Sequence, residues 1–459
     1  MNLHRLLQKR AADGKPLRVG LIGAGKFGSM FLAQALTTPG LHIAAVADLK
    51  RDRAAASLTR VGWVRERFEA RSLSEALAKG TAWLTEDALA MIRSDGIEVV
   101  IDATGSPPAG IAHARAEFAA GKHVVMVNVE ADALVGPLLA REAENAGVVY
   151  SLAYGDQPAL IAEMVDWARA AGFEVVAAGK GTKYLPVYHA STPETVWGHY
   201  GFSAQQVASG DFNAQMFNSF LDGTKSAIEM AAVANATGLS APSDGLLFPP
   251  CGVDDLARVL RPRAEGGVLD GGGKVEVVSS LERDGRPVFR DLRWGVYVVF
   301  AGATPYVRDC FKQYGLVTDS SGRYTAMYKP YHLIGLELGI SVASAALRRE
   351  PTGVAAGFRA DAVATAKRDL ALGETVDGEG GTTVWGKCLP AERSLGFGAL
   401  PIGLAHGLRL KRAVKAGTVV GWADVATEGV SSLMAEAIRT RREMEEGARV
   451  ELGLARAAQ

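Results

Sequence analysis

Cysteine is scarce in this chain: Cys251, Cys310 and Cys388 are three in 459 residues, widely spaced and with no CxxC pair. That excludes a disulfide framework and a thiolate metal cluster, and it points to a reducing cytoplasm. An excess of either charge is also missing, because 50 Lys plus Arg balance 50 Asp plus Glu. No global field is available to hold nucleic acid or an anionic membrane surface, so a charged ligand must be met by a local site. No apolar run reaches membrane-spanning length, and the opening MNLHRLLQKRAADGK reads as a short amphipathic helix rather than a secretion signal. Internal repeats and low-complexity tracts are absent too. What is there, 48% hydrophobic and 22% charged residues, is the make-up of an ordinary globular protein.

Short runs rich in branched apolar residues alternate with helical stretches through the first third. LRVGLIG (17–23), HIAAVAD (42–48), IEVVIDAT (97–104), KHVVMVNV (122–129) and VVYSLA (148–153) read as strands, with FGSMFLAQAL, IAHARAEFAA and PLLAREAENA as helices between them. Strand and helix repeated this often predict a doubly wound parallel sheet. From about residue 160 the pattern changes to a mixed α+β domain. The helix 159–172 leads to the strand FEVVAAGKG, 212–238 carries the apolar spacing of a central helix, and VEVVSSLE and GVYVVFAG supply further strands. A helix over 332–347 precedes the Pro/Gly break REPTGVAAGF. Beyond it we expect a small β-rich module and a solvated, charged last helix.

Gly23, Gly25 and Gly28 spell GxGxxG, with Ala24, Lys26 and Phe27 between them, at the junction of the first strand and its helix. In such a turn the three glycines serve a tight bend, close backbone approach to a pyrophosphate and close packing of helix on strand, while the helix end favours the phosphates. Asp48 ends the second strand, 20 residues after Gly28, where a carboxylate accepts from an adenosine ribose. Together these predict a Rossmann domain holding NAD or NADP. Asp48 opposes a 2′-phosphate and leans the choice to NAD, whereas Lys50 and Arg51 could neutralise that phosphate. Thr104 and Gly105, in DATGSPP, and Asn128 and Glu130, after the strand 122–129, complete the candidate cofactor residues.

For the chemistry, Lys180 and Lys183 follow the strand EVVAAG. Asp222, Lys225 and Glu229 fall at spacings of three and four, which puts them on one face of a helix, as a proton-shuttling row or as a salt-bridge ladder. Asn235 could orient a substrate oxygen or cap the helix end. Asp156 and Glu130 could bind a divalent metal or pin hydroxyl groups; with no third carboxylate evident, no metal is expected. His189 and His199 are more simply read as structural.

Several of these segments, LRVGLIGAG, VIDATG, GKHVVMVNVEAD, YSLAYGDQP, EVVAAGKG, FLDGTKSAIEMAAVANATG, AEGGVL and KPYHL, resemble the homoserine dehydrogenase superfamily. The likeness, over roughly 17–345, is to a homoserine-dehydrogenase-like branch that includes the 1-deoxy-D-xylulose 5-phosphate reductoisomerase-like enzymes. The tail, with RDLALGETVD and LPIGLAHGLRLKRAVKAGTVVGWADV, resembles a SAF domain. The resemblance implies an NAD(P)-dependent oxidoreductase with domains at 1–160 (Rossmann), 161–350 (substrate binding and oligomerisation), 351–430 (SAF-like) and 431–459 (last helix). It implies Lys180, Lys183, Lys225, Glu229 and Asp156 as catalytic candidates, a small-molecule substrate, and a homodimer or homotetramer. The chain also departs from its relatives. Asn128-Val129-Glu130 stands where homoserine dehydrogenases carry Asn-Lys, GDQP stands for GDEP, and GKGTKYLPVYH for GKGKNNP. Homoserine is therefore not the expected substrate; a small hydroxylated acid or phosphorylated sugar is. Reductoisomerisation, an isomerase or lyase that retains its NAD, and a non-catalytic NAD(P) sensor are the alternatives.

Overall fold

A computed structural model describes residues 2–209 and 212–454. The apolar runs of the first third form six strands: β1 Leu17–Ile22, β2 Leu41–Ala47, β3 Trp83–Thr85, β4 Val99–Asp102, β5 His123–Met126 and β6 Tyr150–Leu152. They pair in parallel in the order β3-β2-β1-β4-β5-β6. Both faces are covered, which is why the strands are apolar without alternation. Leu17, Val19, Leu21, Phe31, Leu58, Val99 and Ile101 pack in one core, and Ile22, Ala45, Met91, Ile92 and Val100 in another. The strand order reverses between β1 and β4, the switch point at which such sheets open a crevice beyond their carboxyl ends. The expected doubly wound sheet is thus present.

The chain divides into two units: 1–160 with 332–355, and 161–331 with 356–459. This differs from the linear division expected at 160, 350 and 430. Leu338, Val342 and Ala343 bury their side chains in the first unit's core, so the helix Gly339–Arg348 belongs there. Residues 332–338, expected to be helical, precede that helix as irregular chain (332–333) and turn (334–338).

In the second unit a mixed sheet runs β10-β9-β7-β8, made of β7 Glu174–Thr182, β8 Lys274–Ser279, β9 Val296–Ala301 and β10 Tyr324–Lys329. β7 and β8 are parallel, whereas β9 is antiparallel to both β7 and β10. The tail adds β11 Ala360–Ala366 paired with β13 Val384–Pro390, and a sheet of β12 Thr375–Asp377, β14 His406–Leu410 and β15 Val425–Ala426. The last helix, Ser432–Glu451, is not the solvated element expected from its charges. Arg441 is fully buried, its guanidinium 2.5 Å from Asp361 Oδ2 and 2.9 Å from Glu445 Oε1. A buried charge needs such partners, and periodicity alone did not reveal them.

The segment 212–238 is two helices, not one: Ala214–Leu221 and Thr224–Thr237. The break lies at Asp222 and Gly223. Gly223 has φ of +92°, open to glycine and strained for other residues. Asp222 Oδ1 accepts from the Thr224 N–H at 2.9 Å, which starts the second helix.

Candidate active site

The glycine turn divides its labour as its spacing predicts. Gly23 has φ of +95°, and a Cβ there would lie 2.7 Å from the Ala103 carbonyl oxygen; at Gly28 it would lie 2.2 Å from the Gly23 carbonyl oxygen. Both positions therefore pack backbone against backbone. A Cβ at Gly25 would meet nothing within 4 Å. Gly25 is the N-cap of the helix Lys26–Ala35, which has no side-chain cap. An open approach to an uncapped helix N-terminus is the cradle a diphosphate requires, so these residues fit a dinucleotide. Lys26 is exposed beside the turn, and Phe27 packs part of its ring on the first unit's core.

Asp48 is buried beneath this turn. Its Oδ2 accepts from the Ala24 N–H at 2.9 Å and from Arg53 at 3.0 Å, and its Oδ1 from the Lys50 N–H at 3.2 Å. The carboxylate thus braces the turn. Arg53, which the sequence reading did not single out, is its charged partner.

At the end of β4 lies a second network, also missed in part. Asp102 Oδ1 accepts from both the backbone N–H and the hydroxyl of Thr104, at 3.0 and 2.6 Å, and Oδ2 lies 2.7 Å from His113 Nδ1. Asn128 Nδ2 donates to Thr104 Oγ1 at 3.2 Å and to the Ser106 carbonyl at 2.9 Å. Its Oδ1 caps the helix Val129–Asn145 through the Ala131 N–H. Gly105 is open, with nothing within 4 Å of an added Cβ, and Glu130 lies half-buried in that helix's first turn. His113 carried a signal in hindsight: it stands on the helix that follows the Asp102 strand. Behind them, Asp132 Oδ1 accepts from the Tyr150 hydroxyl at 3.0 Å, and Oδ2 has no partner. Burial pushes the Asp132 carboxyl up to about 7. Glu117, fully buried with both oxygens unmatched, is raised well above the usual carboxylate range by burial and then by Asp102. Asp156 is buried in the same unit, with Oδ1 accepting from the Gln157 N–H at 2.9 Å.

The remaining candidates belong to the second unit. Lys180 on β7 and Glu229 on the helix Thr224–Thr237 are both buried and form an ion pair. Lys225, half-buried, starts that helix. Asp222 does not join their row: it sits before the helix and pairs at 2.8 Å with Lys367 of the tail. The periodicity assumed an unbroken helix, and Gly223 breaks it. Asn235 Oδ1 accepts from the Arg359 and Ala360 N–H groups at 2.7 and 3.1 Å, and its buried Nδ2 has no hydrogen-bond partner among the described residues. Lys183 donates to the His199 carbonyl at 2.6 Å and lies 5.4 Å from the centre of the Tyr200 ring.

His189 is structural. It stacks on Trp385 at 3.8 Å; its Nδ1 donates to the Asp222 carbonyl and its Nε2 accepts from the Tyr184 hydroxyl at 2.9 Å. Burial pushes its pKa down to about 4. Tyr184 in turn stacks on Phe248, whose φ of +50° is held by the Glu276 carboxylate accepting from the Phe248 N–H. Among the described residues no group of three His, Cys, Asp or Glu could hold a metal ion, and no helix is long and apolar enough to cross a membrane.

The class that this fold and turn define is a doubly wound α/β protein with a dinucleotide-type glycine bend. More narrowly, residues 155–338, less than half of the chain, match the family model described as oxidoreductase DRL, catalytic domain. No curated protein matches the chain. Among solved structures it is similar to a probable dehydrogenase from Thermotoga maritima, at 15% identity over 74% of this chain and 91% of that one, with a TM-score of 0.36. It is also similar to an oxidoreductase from Agrobacterium radiobacter in complex with NAD+, L-tartaric acid and magnesium (18% identity, 37% of this chain, 44% of that one, TM-score 0.27). A DOX-P reductoisomerase in complex with magnesium gives 14%, 49%, 58% and 0.33. The chain thus spans about half the length of the last two, and likenesses at these scores do not establish a shared overall fold.

Proposed function

We propose that the protein is an NAD(P)-dependent oxidoreductase that moves a hydride to or from a small hydroxylated acid or phosphorylated sugar. The observation that carries this reading is the open Gly25 bend over an uncapped helix N-terminus. The match of residues 155–338 to an oxidoreductase catalytic domain supports it.

When bound, the nicotinamide supplies or accepts the hydride. The first-turn N–H groups of the helix Lys26–Ala35 grip the diphosphate, and Asp48 fixes the bend that presents them. Thr104, Asn128 and Asp102 form a hydrogen-bonded edge at the end of β4. In the second unit, the buried Lys180–Glu229 pair would serve as proton donor to a substrate oxygen and as its relay, and as proton acceptor in the reverse direction. A homodimer or homotetramer agrees with the exposed Phe289, Trp294, Tyr306, Tyr314 and Met327 of this unit. The free cysteines agree with a reducing cytoplasm.

Titration of the full-length protein with NADH and NADPH, followed by nicotinamide fluorescence, tests the reading. Wild type should bind one or both, and Gly25→Val, whose side chain enters the open approach, should lose binding with an unchanged melting temperature. Absence of binding by wild type sinks the proposal.

A further inference from the structure

We propose that Lys183, Arg293, Tyr188 and Tyr200 form a subsite for an oxyanion, the phosphate or carboxylate group of the substrate. This rests on the oxidoreductase reading above and names the charge its substrate carries.

The sheet brings the two cations to one end. Lys183 follows β7 directly, and Arg293 lies in the turn that enters β9. The two strands are antiparallel neighbours with Lys180 opposite Val296, and the Gly181 N–H bonds the Gly295 carbonyl at 3.1 Å. Glycine is required at 181 for this approach. A Cβ there would lie 2.0 Å from the Leu292 carbonyl oxygen and 2.9 Å from the Arg293 nitrogen.

Around the cations the chain places hydroxyl donors; the Asp291 carboxylate accepts from the Arg293 backbone N–H at 2.8 Å and forms no ion pair with its guanidinium, which lies 4.7 Å from the centre of the Trp294 ring. Lys183 sits by the Tyr200 ring and the His199 carbonyl, and His199 packs on Tyr188 with ring centres 5.0 Å apart. Neither Lys183 nor Arg293 forms an ion pair with a carboxylate among the described residues, and neither the Tyr188 nor the Tyr200 hydroxyl has a protein hydrogen-bond partner there. Asp222, the carboxylate whose charge reaches Tyr200, is already paired with Lys367. Burial and then the Arg293 charge push Lys183 down, and burial pushes Tyr200 up to about 12, so both phenols remain donors at neutral pH. Two half-buried like charges with unmatched hydroxyl donors are relieved by an anion. A neutral polyol would leave the repulsion in place.

Calorimetry on the full-length protein, with inorganic phosphate in one arm and acetate in the other, tests the subsite. Lys183→Met and Arg293→Met should each weaken the preferred anion about tenfold or more, the loss expected for one charge-assisted hydrogen bond. Tyr200→Phe should weaken it less, and Lys183→Arg should largely restore it. Gly25→Val, which closes the other anion-binding bend, should leave this binding intact. The arm that responds identifies the group: phosphate alone means a phosphorylated substrate, and acetate means an acid. NADH and NADPH fluorescence on the same samples separates the two levels of inference. If either cofactor binds while wild type takes neither anion, or while both Met variants bind them as wild type does, the subsite is wrong and the oxidoreductase reading stands. If NADH and NADPH both fail to bind as well, the functional reading falls with it.

Discussion

Asp132→Asn isolates the cost of a carboxyl buried in the first unit. The wild-type group has a pKa raised from 3.8 to about 7, because burial disfavours its charge and one hydrogen bond from Tyr150 only partly compensates. A carboxyl raised in the folded state binds more protons there than when unfolded. Stability is therefore highest below the unfolded value, falls as pH rises from about 4, and levels off above about 7. At about 1.36 kcal/mol per unit, the full penalty is on the order of 4 kcal/mol at pH 8, of which about 1.6 is already present at pH 5. Asparagine keeps an acceptor for Tyr150 and cannot ionise. It buries an amide N–H₂ where Oδ2 has no partner, a cost of about 1–3 kcal/mol that does not change with pH. The clean quantity is thus the difference in the mutational effect between the two conditions: the variant should gain about 2.5 kcal/mol on wild type in going from pH 5 to pH 8. Urea unfolding of both proteins at the two pH values measures it. An equal mutational effect at pH 5 and pH 8 would refute the claim that Asp132 must lose its proton inside the fold.

The second unit should show the opposite slope through His189. Its pKa is depressed from 6.5 to about 4 by burial, so its contribution is present above pH 6.5 and is lost as pH falls through 4. His189→Gln should remove about 3 kcal/mol of acid sensitivity, seen as a smaller drop in unfolding free energy between pH 7 and pH 4. Arg441→Met leaves the Asp361 carboxylate buried without its cation and should cost about 3–5 kcal/mol. Limited proteolysis should then cut the helix Ser432–Glu451 first, and an unchanged digestion pattern would show that the buried pair does not anchor it.

The strands of the first unit were legible because a parallel sheet covered on both faces demands unbroken apolar runs, and LRVGLI and VVID supply them. The glycine bend was legible for a related reason: each of its three positions meets backbone or open space that a side chain would alter. The row of Asp222, Lys225 and Glu229 was not, since helical spacing carries no information about where a helix stops. A glycine in 212–238 could be read as tolerated, whereas Gly223 adopts φ of +92° and turns Asp222 toward the tail. The return of the helix Gly339–Arg348 to the first unit was hidden as well, because a local pattern gives an apolar face without naming what covers it.

By itself, then, the sequence determined the doubly wound sheet and its glycine bend, whose requirements are local: periodicity, backbone freedom and a carboxylate at a fixed remove. Tertiary structure alone decided which charges meet. Lys180 with Glu229, Lys367 with Asp222 and Arg441 with Asp361 are 49, 145 and 80 residues apart in the chain. Burial makes each of those charges depend on a partner, and only the packed chain supplies one.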